Sequence, residues 1–155
     1  VTDINVDDFF KDAAKTLVAL YGVFPRRHAI FVDDIYAAEE PDEFGLHSDR
    51  YQACFGTLLW LGEEGYLRFE EPIRNEAIDQ AVLTGRCFTL LSSPTGAPAA
   101  EPGLPDLVRL ERSTHIFAIQ SALKDRSSGA LRQAMVALMS RMQRLPDPVT
   151  GSGNA

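Results

Sequence analysis

The side chains with chemistry to offer are three histidines (His28, His47 and His115), two cysteines (Cys54 and Cys87) and a carboxylate run, Glu39-Glu40-Pro41-Asp42-Glu43. Zinc sites need His and Cys at short paired spacings, so that their ligands converge on one ion. None of these five residues is paired in that way. A calcium loop of the EF-hand type needs an alternating ladder of Asp and Asn, which the acidic run lacks, so it reads as a solvated loop. Serines and aspartates are present, but no nucleophile elbow or Cys/His signature frames one beside a base. Gly62 and Gly65 do not make a nucleotide-binding fingerprint. The expectation is therefore a protein that is not an enzyme and takes no metal or cofactor.

Two cysteines outside any Cys-x-x-Cys motif do not make a disulfide framework, and this points to a reducing compartment. No apolar run approaches the roughly 20 residues that span a bilayer, and Asp3, Asp7 and Asp8 make the first residues acidic, unlike a targeting segment. A cytoplasmic location is expected.

Of the 155 residues, 45% are hydrophobic, enough for a packed core. The net charge is -7, and its distribution matters more than its total. From 26 to 94 there are six arginines and thirteen carboxylates, a net charge of -7. From 104 to 146 there are seven basic and three acidic residues, a net charge of +4. The positive charge lies in the C-terminal part.

Apolar residues at helical spacing, Phe10, Ala13, Leu17, Leu20 and Phe24, predict a first helix over Val6 to Tyr21 with Asn5 as its N-cap. Ala29 to Val32 reads as a short strand, and Asp33 and Asp34 open a short helix toward Ala38. Ser48 is the expected N-cap of a third helix running to about Glu64 and ended by Gly65. Tyr66 to Phe69 alternates like a strand, with a turn over Pro72 to Glu76 and a partner strand over Ala77 to Leu83. Thr84 caps a short helix to Leu91. Prolines 94, 98, 102 and 105, with Gly96 and Gly103, mark a linker. Helical patterns follow over Leu107 to Leu123 and Gly129 to Met142, and 146 to 155 is expected to be disordered. The resulting division is a domain at 5–94, a linker at 95–105 and a helical tail at 106–145.

Two segments carry a resemblance. Leu61-Gly62-Glu63-Glu64-Gly65-Tyr66-Leu67 resembles the end of a recognition helix running into a wing strand. Ala81-Val82-Leu83-Thr84-Gly85-Arg86-Cys87-Phe88-Thr89-Leu90-Leu91 resembles the second wing strand entering the next helix. Together, over about residues 6 to 92, they are similar to winged helix-turn-helix regulators of the MarR and PadR kind. The fold expected is mainly α with a small β-hairpin, a winged helix-turn-helix domain plus C-terminal helices. The resemblance implies a homodimer on double-stranded DNA, with the third helix in the major groove. Its reading face would carry Ser48, Asp49, Arg50, Gln52 and Ala53, and its wing tip Arg74 and Asn75. DNA contact is thus assigned to Ser48, Arg50, Gln52, Arg74 and Asn75, and the function to transcriptional regulation.

A second reading stands beside it. The connection from Glu39 to His47 is long for a helix-turn-helix, the wing begins Glu70-Glu71, and the third helix is apolar nearly all round from Ala53 to Leu61. These features suit an acidic protein-interaction module without enzymatic activity, whose basic C-terminal helices dock a protein partner. In the last helix Leu131, Met135, Leu138 and Met142 form one apolar stripe, with Arg132 and Arg141 off it. The stripe is a candidate interaction surface, suited to its own domain, a second subunit, a groove or an anionic membrane surface. The expectation is that the tail packs on the first domain and covers the third helix, and that the first and C-terminal helices make a dimer.

Overall fold

The computed structural model describes residues 4–97 and 103–147. The linker expected at 95–105 and the disorder expected at 146–155 fall partly outside those residues. Within them the chain is mainly helical, with a small antiparallel sheet. The elements in order are α1 (Ile4–Val23), β1 (His28–Phe31), α2 (Val32–Ile35), α3 (Asp49–Glu63), β2 (Leu67–Arg68), β3 (Glu71–Ile73), β4 (Ala77–Leu83), α4 (Gly85–Leu91), α5 (Asp106–Arg112), α6 (His115–Lys124) and α7 (Ser128–Arg144). Among the described residues no helix is long and apolar enough to cross a membrane.

β4 is the centre of the sheet. β1 pairs with it on one side, with Ile30 opposite Ile78 and Phe31 opposite Ala77. On the other side β2 sets Leu67 opposite Leu83, and β3 sets Ile73 opposite Ala77. β4 is buried at five of its seven positions, as a central strand must be. The hairpin differs from expectation. Pro72 and Ile73 belong to β3, so the tight turn shrinks to Arg74 and Asn75, closed by Glu76 N–H donating to the Ile73 carbonyl at 3.1 Å.

The helix ends follow local chemistry. Ser48 caps α3 by accepting from the Tyr51 N–H, and Thr84 caps α4 by accepting from the Cys87 N–H, both at 3.2 Å. Gly65, at φ +82°, ends α3. There Tyr66 N–H reaches back to the Leu61 carbonyl at 2.9 Å and Gly65 N–H to the Gly62 carbonyl at 3.3 Å, the paired bonds of a Schellman ending. α1 begins at Ile4, so Asn5 is inside the helix and does not cap it. The helix expected over Leu107 to Leu123 is two helices. Ser113 ends α5, and the Thr114 side chain starts α6 by accepting from the Phe117 N–H at 3.2 Å.

The tail builds the core together with the rest of the chain. Leu131, Met135, Leu138 and Met142 of α7 are buried in one cluster with Phe10, Ala13, Leu17 and Leu20 of α1 and with Cys87 and Leu91 of α4. The chief partners of α7 are α1, α4 and α6. This corrects the expectation that the tail lies over α3. α1 takes that packing because its buried stripe faces α3 on one side and the tail on the other. Segment 93–95 is held as well. Arg141 donates to the Pro94 and Thr95 carbonyls, both at 2.7 Å, Thr95 N–H donates to the Ser113 carbonyl, and His115 N–H donates to the Ser93 carbonyl.

If α7 completes this core, Leu138→Ala should destabilise the whole chain by about 2–5 kcal/mol, the usual range for a buried leucine, with one cooperative transition. Urea unfolding followed by far-ultraviolet circular dichroism checks this. A loss below about 1 kcal/mol, or a separate early transition, would contradict it.

His115 is buried at the start of α6, with neither ring nitrogen hydrogen-bonded among the described residues. Burial, and next the charge of Arg141, hold its pKa below the ordinary value of 6.5. The unfolded chain therefore takes up the proton first. The contribution is complete above pH 6.5 and is lost as pH falls below it. The melting temperature should drop as pH falls below 6.5, and His115→Leu should flatten the drop. An equal drop in both proteins would count against it.

Candidate interaction surface

α3 is the element on which a reading face was expected, and its one cation is engaged within the fold. Arg50 points inward to Asp12 of α1, whose carboxylate is only 2% exposed. Its Nη1 and Nη2 donate to the two Asp12 oxygens at 2.6 and 2.8 Å, a bidentate pairing. Its Nε lies 3.2 Å from the Asp8 carboxylate. The guanidinium also stacks over the Tyr36 ring, 4.3 Å from its centroid. Hydrogen bonding to Asp12 raises the Arg50 pKa against the opposing effect of burial.

The other expected contacts are also engaged. The Ser48 hydroxyl caps α3 and donates to Glu39 at 2.7 Å, while Ser48 N–H donates to the other Glu39 oxygen at 2.7 Å. These two bonds hold the Glu39 carboxyl below its ordinary pKa. The Gln52 amide donates to the His47 carbonyl at 2.8 Å. Arg74 and Asn75 stand exposed at the hairpin tip, with Arg74 in the left-handed region at φ 53°. Of the five residues assigned to DNA, the structure leaves these two free of engagement in the fold. They share a shallow pocket with Glu76 and with Gln52 and Gly56 of α3, while at the other end of β3 Glu70 lies 3.6 Å from Arg27.

Sequence reasoning missed a second cluster beside them. His47 stacks on Tyr51 with ring centroids 3.7 Å apart, its Nδ1 lying 3.5 Å from Glu39 and its Nε2 3.7 Å from Glu76. The Tyr51 hydroxyl donates to Asp33 at 3.0 Å, and burial raises its pKa. This cluster fastens the long 39–47 connection to α3 and to the hairpin. The connection is a built loop: Asp42 Oδ1 accepts from the Phe44 and Leu46 N–H groups, both at 2.9 Å. Phe44 projects from it, 78% exposed.

The cysteines are inert here. Burial pushes the pKa of both the Cys54 and the Cys87 thiol up to about 12, so neither is a thiolate near neutral pH. Among the described residues no group of His, Cys, Asp and Glu is arranged to hold a metal ion. The α7 stripe, Leu131, Met135, Leu138 and Met142, is buried within the chain, the first of the settings its pattern suited. The exposed positions of α3 are Asp49, Gln52, Ala53, Gly56 and Glu63, and Arg50 beside them is 24% exposed with its charge met by Asp12 and Asp8.

Removing Arg50 leaves Asp12 buried without its partner, a change that breaks an interior ion pair. Arg50→Ala should destabilise by about 3 kcal/mol. The double variant Asp12→Leu/Arg50→Leu should recover part of that loss, because no uncompensated charge then remains. Chemical denaturation of the wild type and these variants checks it. Additive losses would show that the pair is not coupled.

No family model matches this chain, and the searches of curated proteins and of solved structures found no match either.

Proposed function

We propose that the chain is an acidic, non-enzymatic protein-interaction module built on a winged helix-turn-helix frame over residues 5–94. The order α1, β1, α2, α3 and then a hairpin into α4 supports the frame, as does the resemblance of the segments around Gly65 and Thr84. One observation carries the choice of protein over DNA: Arg50, the one cation of α3, is tied to Asp12 and Asp8 inside the fold. A recognition helix reads base edges with side chains such as Arg and binds phosphates with positive charge. The open face of α3 ends in carboxylates, and the hairpin carries Glu70, Glu71 and Glu76 against the one exposed cation of its tip, Arg74. A polyanion meets repulsion along this side, whereas a cationic protein surface meets attraction.

Fluorescence anisotropy with a labelled mixed-sequence duplex at low salt tests this reading. Non-specific duplex binders typically show dissociation constants of about 1–100 µM at physiological salt, and this chain should show no saturable binding even in the more permissive low-salt buffer. Saturable binding in that range would overturn the reading, and its weakening in the exposed-site variant Arg74→Ala would place the DNA at the hairpin tip.

A further inference from the structure

A groove of about 620 Å3 runs between α1 and α3, lined by Phe9, Trp60, Ala53 and Gly56, with the carboxylates of Asp8, Asp12 and Asp49 outnumbering the one cation, Arg50, among its polar residues. Phe9 and Trp60 meet edge to face with centroids 5.1 Å apart and give the groove an aromatic wall. Gly56 lies in the middle of α3, on its exposed side. The other two glycines of this region have a reason within the fold. A Cβ on Gly62 would come within 2.7 Å of the Phe69 ring, and Gly65 takes a left-handed φ. A Cβ on Gly56 would meet nothing within 4 Å. Glycine is a poor helix former, so a bare helix interior there weakens α3 with no return inside the chain. What it offers is close approach of a second backbone.

The charges beside the groove have the same character. Asp49 is exposed at one end of α3, and Glu63 and Glu64 are exposed at the other. Acids at a helix C-terminus oppose the helix dipole. Among the described residues none of these three carboxylates has a cation within ion-pairing distance. With a rise of 1.5 Å per residue the two ends lie about 21 Å apart, the length of about four helical turns.

We propose that the α1–α3 groove is the docking site for a cationic amphipathic helix of a partner protein. That helix, about four turns long, lays its apolar stripe over Ala53 and Gly56 against Trp60 and Phe9. Lysines or arginines at its two ends face Asp49 and Glu63–Glu64. The acidic ends select for positive charge, and the aromatic wall selects for an apolar stripe, the pattern of helix-in-groove recognition. This inference rests on the reading of the chain as an interaction module.

Trp60 is the chain's one tryptophan, so its emission reports on the groove directly. The probe is a tryptophan-free Leu/Lys amphipathic peptide of about 15 residues, with a Leu/Glu peptide of the same pattern as control. The Leu/Lys peptide should shift Trp60 emission saturably to the blue, and the Leu/Glu peptide should leave it unchanged. Gly56→Arg replaces a poor helix former and projects into open space, so the fold should persist by circular dichroism while binding falls by roughly tenfold or more. Asp49→Lys/Glu63→Lys should exchange the preference between the two peptides. Absence of a saturable shift overturns the proposal. So does binding with unchanged Trp60 emission and equal affinity in Gly56→Arg, although the module reading would then stand. Emission that shifts with the protein's own concentration, without peptide, would place a second copy in the groove and overturn the partner helix. A shift produced by duplex DNA would overturn both the groove proposal and the module reading.

Discussion

Asp12 is a carboxylate almost without solvent in the middle of α1, and the arrangement of α1, α2 and α3 depends on how its charge is met. An isolated buried carboxylate is costly enough that it normally takes up a proton or finds a cation. Here the cation comes from Arg50, 38 residues further along, in two parallel hydrogen bonds with Asp8 as a third contact. Tyr36, just after α2, covers the guanidinium. One pairing thus fixes the first turn of α3 against α1 and brings the end of α2 onto both. It selects one specific arrangement of the three helices.

The same pairing decides what the molecule shows to its surroundings. With Arg50 paired to Asp12 and Asp8, the fully exposed positions of α3 are small, polar or acidic, beside the half-buried Trp60. The basic residues of the tail do not replace the missing cation. Arg141 holds the 94–95 backbone from α7, and Arg132 lies 3.9 Å from Asp7 and over the Phe10 ring. The contrast of charge along the sequence, negative first and positive later, is partly used in bringing the C-terminal helices onto α1.

What was legible in the sequence was local. Ser48 and Thr84 announce helix starts because a capping hydroxyl acts on an N–H three residues away. Gly65 announces a helix end because few other residues accept its φ. Ala77 to Leu83 was legible as the returning strand of a hairpin, although its burial does not alternate. The division of Leu107 to Leu123 into two helices had a local signal, the capping hydroxyl of Thr114, but the apolar pattern ran past it. The fate of Arg50 had none, since its partner lies on another helix, and position in α3 alone marked it as a DNA contact. The α7 stripe was visible as a stripe, whereas its target depended on which side of α1 was left to cover. The His47 cluster was hidden similarly, because Glu39, Tyr51 and Glu76 meet it only after folding.

Arg50 is thus a structural residue, held by Asp12 and Asp8 at the edge of its guanidinium and by Tyr36 on its face. Nuclear magnetic resonance of the arginine side-chain nitrogens tests it most directly. A bidentate partner restrains rotation of the guanidinium, so Arg50 should give separate, slowly exchanging Nη proton signals, and these should collapse in Asp12→Asn. An Arg50 guanidinium whose signals average and exchange like those of the exposed Arg74 would contradict the account.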